Sequence, residues 1–156
     1  MIEQAALIAC LMLALIAAAW DVRKRRIPNL LCAAMAVCSI GYLVLSSGLE
    51  AAGSGALHAV VALVAGMMLF GFGMIGGGDA KFYAASAFAV PLGGGLFMLG
   101  ATSLVGLALL LLMAALRMLG FSAGPRDARG RVLVPYGVAI AGGFAFTALA
   151  APSALS

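Results

Sequence analysis

Long apolar runs, repeated along the whole chain, are the feature that most limits how this sequence can fold. The runs extend for about 17–22 residues, the length that an α-helix needs to cross the hydrocarbon core of a bilayer. They lack the alternation of apolar and polar side chains with period 2 that marks the strands of a membrane β-barrel. The sequence therefore predicts an all-α, polytopic membrane protein.

The composition supports the same conclusion. Hydrophobic residues make up 65% of the chain and charged residues only 9%, and the mean hydropathy is +1.20. A soluble domain is about 25% charged, so this chain has too little polar surface to cover a globule in water. Its 3 cysteines lie in apolar runs without a Cys-x-x-Cys pair, so no zinc site or disulfide framework is predicted. We expect no metal, no other cofactor and no nucleic-acid partner, and we expect the lipid bilayer as the environment.

Six membrane spans are predicted, within a single domain that covers residues 1–156. The basic cluster follows the first apolar run, whereas a cleaved signal peptide carries its positive charge first. We therefore expect this run to be retained as the first span. The predicted spans cover residues 4–20, 30–45, 56–75, 80–92, 96–116 and 132–151.

The distribution of charge predicts the orientation of these spans. All 9 Lys and Arg residues fall in the connections that follow spans one, three and five or, for Lys81, at the adjoining start of span four, whereas the opposite side carries only Glu3 and Glu50. Because cytoplasmic loops are enriched in Lys and Arg, we expect those three connections in the cytoplasm and both termini outside. Asp21 and Asp79 then lie at the cytoplasmic ends of spans one and three, where they could meet.

The stretch Gly76-Gly77-Gly78-Asp79-Ala80-Lys81 interrupts the apolar pattern with three glycines and a carboxylate. An ionised Asp at the bilayer centre costs about 2.5–3.5 kcal/mol even on a mild scale, so an Asp at such a position indicates a function. The apolar run that follows spans about 16 Å as a helix, roughly half of the hydrocarbon core. Asp79 can therefore lie below the membrane surface, and irregular backbone at that depth must be buried or line a wet cavity.

Two carboxylates that share a site favour one chemistry above others. Because both cannot ionise cheaply, they hold one proton between them. One carboxylate then accepts a proton from water while the other donates one to a carbonyl oxygen, which is the chemistry of aspartic proteolysis. A serine or cysteine nucleophile would require a histidine base, and His58 is predicted on the opposite side of the membrane. We expect His58 to serve in packing or at an interface.

Other interpretations remain open at this point. Asp79 could cap the N-terminus of span four, and Asp21 could be a surface acid in a basic loop. Acids at broken membrane helices also mark ion pathways, so a small proton-coupled transporter or channel is the alternative function. A third possibility is a structural subunit of a secretion machine, in which both acids act only as caps.

Four groups of residues occur in a defined order in the predicted cytoplasmic connections. They are Asp21, then Arg25-Arg26-Ile27-Pro28-Asn29, then Gly76-x-Gly78-Asp79-x-Lys81, and then Pro135-Tyr136-Gly137. In this order they resemble the prepilin peptidase family, polytopic aspartic proteases of the Gly-x-Gly-Asp class. The resemblance extends over nearly the whole chain, and it is more specific than a lone Gly-x-Gly-Asp.

The resemblance implies that Asp21 and Asp79 are the catalytic pair. It implies cleavage after a glycine that ends the basic leader of a pilin-like precursor, at the cytoplasmic face of the bacterial inner membrane. Large members carry an extra domain with cysteine pairs that N-methylates the new terminus, and this chain lacks those cysteines. We therefore expect the short, peptidase-only form, similar to those that serve tight-adherence (Flp-type) pili. An archaeal-type preflagellin peptidase is the nearest sibling.

The other residues of the motifs are expected to shape the site. Gly76, Gly78 and Arg26 belong to this group through the resemblance. Pro28 and Asn29 are expected to end the basic loop and to start span two, since proline disfavours helix in the preceding residue. For Lys81 two roles stay open, an electrostatic effect on Asp79 or contact with lipid phosphate. The segment from Arg126 to Arg131 is expected to be a solvated loop, and the sequence does not specify an oligomeric state.

Overall fold

A computed structural model describes residues 1–120 and 134–150, and every regular element in these residues is helical. The all-α prediction is therefore confirmed. A short 3₁₀ turn, Leu92–Gly94, precedes the fourth helix. In chain order the helices are α1 (Ile2–Lys24), α2 (Asn29–Gly71), α3 (Gly77–Ala87), α4 (Gly95–Met118) and α5 (Tyr136–Ala150).

Three helical segments are long and apolar enough to cross a membrane: Ile2–Lys24, Asn29–Gly71 and Leu92–Met118. The fourth apolar segment, α5, has 15 residues. Large apolar side chains such as those of Leu15 and Leu111 are exposed on the helices. Helices whose backbone groups bond internally and whose outer surface is apolar suit a lipid environment, so the chain is a membrane protein.

Gly48 interrupts α2 with a backbone conformation that is not helical, φ 84° and ψ −175°. The first half of α2 begins beside the start of α3, because the Lys81 side chain donates a hydrogen bond to Asn29. The second half ends near the same place, because Gly66 packs directly on Ala80. The two halves therefore run in opposite directions, and the chain reverses at a glycine that adopts the left-handed region without strain.

Several helix ends differ from the predicted span boundaries. Residues 46–55, expected as a polar loop, are helical except at Gly48, which alone makes the reversal. The helix before the glycine stretch ends at Gly71, and Gly73 at φ 72° helps the chain turn there. The helix after it ends at Ala87, four residues before Pro91, which has no N–H group to donate to the Ala87 carbonyl. The segment from Arg126 to Arg131, expected to be a solvated loop, lies outside the described residues.

The short helix α3 lies at the centre of the fold. Its Phe82 side chain is fully buried, as are Ser86 and Ala87, and both halves of α2 pack along it. Helix α5 contacts α1, α3 and α4, and buries Phe144. Within the described residues, α4 packs closely along α5, whereas it lies close to α2 mainly at its first residue, Gly95, which contacts His58. A gap therefore remains between α4 and the second half of α2, directly above α3.

Candidate active site

Asp21 lies near the end of α1 and is buried, with only 5% of its surface exposed. Helix α1 ends because Arg25 adopts the left-handed conformation, φ 52° and ψ 32°, and donates its N–H to the Asp21 carbonyl over 2.8 Å. This is the usual way in which a C-terminal cap satisfies a free carbonyl. The surface acid considered from the sequence is thus an inward-facing carboxylate at the edge of the helix bundle.

The Asp21 side chain accepts a hydrogen bond from the backbone of α5. The Gly137 N–H donates to Oδ2 of Asp21 over 2.9 Å, across 116 residues of sequence. The first N–H groups of a helix have no partner within the helix, so the carboxylate caps α5 and gains from its dipole. A Cβ atom at position 137 would lie 2.9 Å from Cβ of Asp21 and 3.0 Å from its Oδ2. Only glycine allows this approach.

The glycines before Asp79 each face a different neighbour. Gly76 is the N-cap of α3, with φ −77° and ψ 143°, and a Cβ on it would lie 2.7 Å from Oδ2 of Asp79. Gly77 lies against the ring of Phe70, and Gly78 against the backbone of Ile27 in the loop after α1. The glycine stretch therefore brings the start of α3 against the segment that follows Asp21.

Asp79 is half-buried in the first turn of α3, outside the three helical segments that are long enough to cross a membrane. It is not the N-cap, since Gly76 has that position. The carboxylate instead folds back toward the Gly76 backbone, as the third helical residue does in a capping box. A capping role therefore explains the contact of the Asp79 carboxylate with the Gly76 backbone. It does not explain why Asp79 is half-buried.

The surroundings of Asp79 favour its protonated form. Burial, and secondly the charge of the nearby Asp21, raise the pKa of the Asp79 carboxyl from 3.8 to about 6, while the Gly76 backbone lowers it. Desolvation and a like charge both disfavour a second negative charge at this place. The two acids therefore interact electrostatically although they come from different helices.

The remaining motif residues, Pro28, Asn29, Lys81 and Arg26, lie in the loop and helix starts next to the two acids. Pro28 is the N-cap of α2, and its carbonyl accepts N–H groups of the first turn, so the loop after α1 ends there. The Lys81 ammonium donates to Oδ1 of Asn29 over 3.2 Å, and this exposed bond ties the start of α3 to the start of α2. Arg26 is exposed in the loop.

A cavity of about 370 Å³ opens beside Asp79, and we refer to it as the Asp79 cavity. It follows the gap between α4 and the second half of α2, and α3 forms its floor. At its far end lies His58, which is buried and has its Nδ1 2.9 Å from the Val90 carbonyl. His58 thus has the packing role expected of it, and it also closes the cavity. Tyr136, the neighbour of Gly137, lines the cavity together with Asp79.

A metal ion would require a cluster of side chains that could bind it. No group of three or more His, Cys, Asp or Glu side chains in residues 1–120 and 134–150 could hold a metal ion. The arrangement instead offers two interacting carboxyls, an adjacent cavity and a backbone donor. Such groups are able to carry out acid–base hydrolysis of an amide.

Two features of the site could not be read from the sequence. Gly137 belongs to the motif Pro135-Tyr136-Gly137, but nothing in the sequence indicates that its N–H group faces Asp21. The Asp79 cavity depends on the gap beside α4, and apolar residues that line a cavity do not differ in pattern from those that face lipid.

Comparison with curated proteins finds no match, and neither does comparison with solved structures. Comparison with protein families gives a match to the type IV leader peptidase family over residues 7–124. The matched region includes Asp21, the basic loop after it and the glycine stretch with Asp79, and it ends before Gly137. It covers well over half of the chain. This helical membrane protein therefore belongs to the type IV leader peptidase family, proteases that act on a protein substrate.

Proposed function

We propose that the chain is an intramembrane aspartic endopeptidase that removes the basic leader of a type IV, Flp-like prepilin after a glycine. The observation that carries the proposal is the pairing of Asp21 and Asp79. These acids are distant in sequence, Asp21 is buried and Asp79 half-buried, and the charge of Asp21 helps to raise the pKa of Asp79. The cavity beside Asp79 provides a place for the substrate backbone.

The two acids have different surroundings, and this difference supports an assignment of roles. Oδ2 of Asp21 faces an N–H group that can only donate, so this oxygen acts as an acceptor. The raised pKa of Asp79 makes that residue the member that holds the shared proton. Asp21 is then the base and Asp79 the acid.

The proposed reaction has two steps. Asp21 takes a proton from water, the water oxygen bonds to the scissile carbonyl carbon, and Asp79 gives its proton to the carbonyl oxygen. The resulting diol collapses as one hydroxyl returns its proton to Asp79. At the same time the carbon–nitrogen bond breaks, and the leaving nitrogen takes the proton from Asp21. Both acids end in their starting states, and no metal or cofactor enters.

The proposal includes a six-span topology with the active site facing the cytoplasm of a bacterial inner membrane. The reversal of α2 at Gly48 supports it, because the two halves of α2 then count as separate spans. The basic residues after α1 support the orientation, since they lie on the same side as both acids. The absence of cysteine pairs from the sequence supports a peptidase without N-methyltransferase activity.

Cleavage of a prepilin in membranes tests the proposal. A Flp-type prepilin is co-expressed with the wild type, with Asp21→Asn, with Asp79→Asn, or with Glu50→Gln, a matched change of an exposed acid on α2. Mass spectrometry of the pilin then reports the cleavage site and any added methyl group. We expect wild type and Glu50→Gln to remove the leader after its glycine without methylation, and each Asp variant to accumulate in the membrane but leave the precursor intact. Cleavage by either Asp variant at the wild-type rate would refute the paired mechanism.

A further inference from the structure

The Asp79 cavity has a length and direction that the hydrolysis of a peptide bond alone does not require. It begins at Asp79 and continues along α3 as far as His58, near the opposite end of that helix. Helix α4 forms one wall and the second half of α2 the other, and in the described residues these two helices diverge beyond the contact of Gly95 with His58. The cavity is therefore open on one side, so a segment of another molecule could enter it.

The lining of the cavity defines what can bind there. Asp79 is the single charged residue among the side chains that line it, and it lies at one end. Elsewhere the walls are formed mostly by aliphatic side chains and small residues, including Ala62, Ala65 and Leu99. The polar groups among them belong to His58, Tyr83, Thr102 and Tyr136. Burying a charged or unpaired polar group in such surroundings costs several kcal/mol in free energy. An occupant must therefore be largely apolar over the length of the cavity.

The volume indicates how much of an apolar segment the cavity accepts. A dry cavity of about 150 Å³, lined by aliphatic and aromatic side chains, is enough to hold one benzene ring. The Asp79 cavity, at about 370 Å³, is more than twice as large. It therefore has room for about two large side chains. On a helical segment, residues three or four apart share one face and could fill it together.

We propose that the Asp79 cavity is a specificity site that takes two large apolar side chains from the substrate, on the carboxyl side of the scissile bond. The inference rests on the proposed function. A basic leader does not suit an apolar cavity, so the segment after the bond occupies it, with the bond itself at Asp79. The two side chains are spaced three or four residues apart.

Variants that fill the cavity test this inference. Ala62→Phe and Ala65→Phe each introduce a ring from α2, and Ala108→Phe makes the same change at an exposed position of α4 outside the cavity. Leu99→Ala enlarges the cavity from the opposite wall. Each variant is assayed in membranes against one prepilin with large apolar residues in the first turns after the cleavage site. A second substrate carries alanine at those positions.

The expected result is a change of preference between the two substrates. Filling the cavity should lower kcat/KM for the substrate with large side chains about tenfold or more, with less than about a threefold effect on the alanine substrate. Leu99→Ala should shift the preference toward larger side chains, and Ala108→Phe should leave both rates unchanged. Because Leu99→Ala adds no bulk, it keeps the test valid if a phenylalanine variant fails to accumulate.

The outcomes separate this inference from the proposed function. If the wild type cleaves neither substrate, the proposed function fails. If it cleaves both but the filling variants retain the wild-type preference between the two substrates, the inference is overturned. Lipid, and not the substrate, then occupies the cavity. An equal loss for both substrates also overturns it, since the cavity then only supports the catalytic centre.

Discussion

Replacing Asp79 with asparagine should abolish cleavage and, at neutral pH, make the protein more stable. The reason is that the wild type ionises a carboxyl that its surroundings keep away from water and close to Asp21. The pKa of Asp79 in the folded protein is about 6, against 3.8 for an ordinary Asp. Asparagine has nearly the same shape and carries no charge, so the variant lacks this penalty.

The magnitude follows from the pKa difference. A shift of about 2 units, at 1.36 kcal/mol per unit, sets an upper bound of about 3 kcal/mol. Asp79 borders an open cavity, so solvent screening reduces the expected gain to about 2 kcal/mol. Because the pKa is raised in the folded state, ionisation of Asp79 does not lower the stability of the wild type below pH 3.8. As the pH rises from there through about 6, the folded wild type progressively loses free energy of unfolding. The gain of the variant should therefore be small at pH 4 and complete above pH 7.

Unfolding by SDS in mild detergent micelles measures this effect. The chain has one tryptophan, Trp20, which lies beside Asp21 in α1 and reports loss of the fold by fluorescence. The quantity of interest is the difference in free energy of unfolding between Asp79→Asn and wild type, measured at several values between pH 4 and pH 8. Glu50→Gln, which alters an exposed acid, is the control and should show no such dependence.

Two results would refute the reasoning about Asp79. A stability difference that stays constant between pH 4 and pH 8 would mean that the Asp79 carboxyl has an ordinary pKa. A variant less stable than wild type above pH 7 would mean that the ionised carboxylate has a stabilising partner. Either result would remove the basis for assigning the shared proton to Asp79.

Two further predictions concern glycines that allow close contacts. Gly137→Ala should lower the cleavage rate about 10- to 100-fold, because its Cβ would displace the Asp21 carboxylate. Gly106→Ala, whose Cβ would make only an ordinary contact at 3.5 Å, should cleave normally, and similar losses in both variants would contradict the prediction. Gly66→Ala should destabilise the fold by about 1–3 kcal/mol in SDS unfolding, because α2 would be forced away from α3. Gly53→Ala, which faces open space in the same helix, should stabilise it by about 0.5–1 kcal/mol, and a gain in stability at both positions would show that the close contact is absent.

Much of the secondary structure followed from the sequence because helices in a bilayer obey local rules. Uninterrupted apolar runs must form helices, since no other segment satisfies its own backbone in lipid. The predicted starts near Asn29 and Gly95 agree with the helices, because Pro28 and the glycines before α4 end the preceding structure locally. The sequence predicts a connection of about ten residues where Gly48 alone makes the reversal, since polarity marks a connection but does not show how few residues it needs.

The candidate site was predicted only as a set of residues. Asp21 and Asp79 were chosen because each adjoins a helix break, which is a local signal. Their surroundings are not local. The carboxylate of Asp21 has its donor in Gly137, more than a hundred residues away, and no pattern in either segment indicates the other.

By itself the sequence determined that this chain is helical, that it enters a membrane, and that its two notable acids flank helix breaks. These properties depend on apolar length, on the position of glycine and proline, and on the type of each side chain, all of which are local. Only the tertiary structure decided that Asp79 is shielded and coupled to Asp21, and that a cavity extends from it along α3. Both depend on how closely helices approach, which is set by the contacts of glycines such as Gly66 and Gly137 with distant residues.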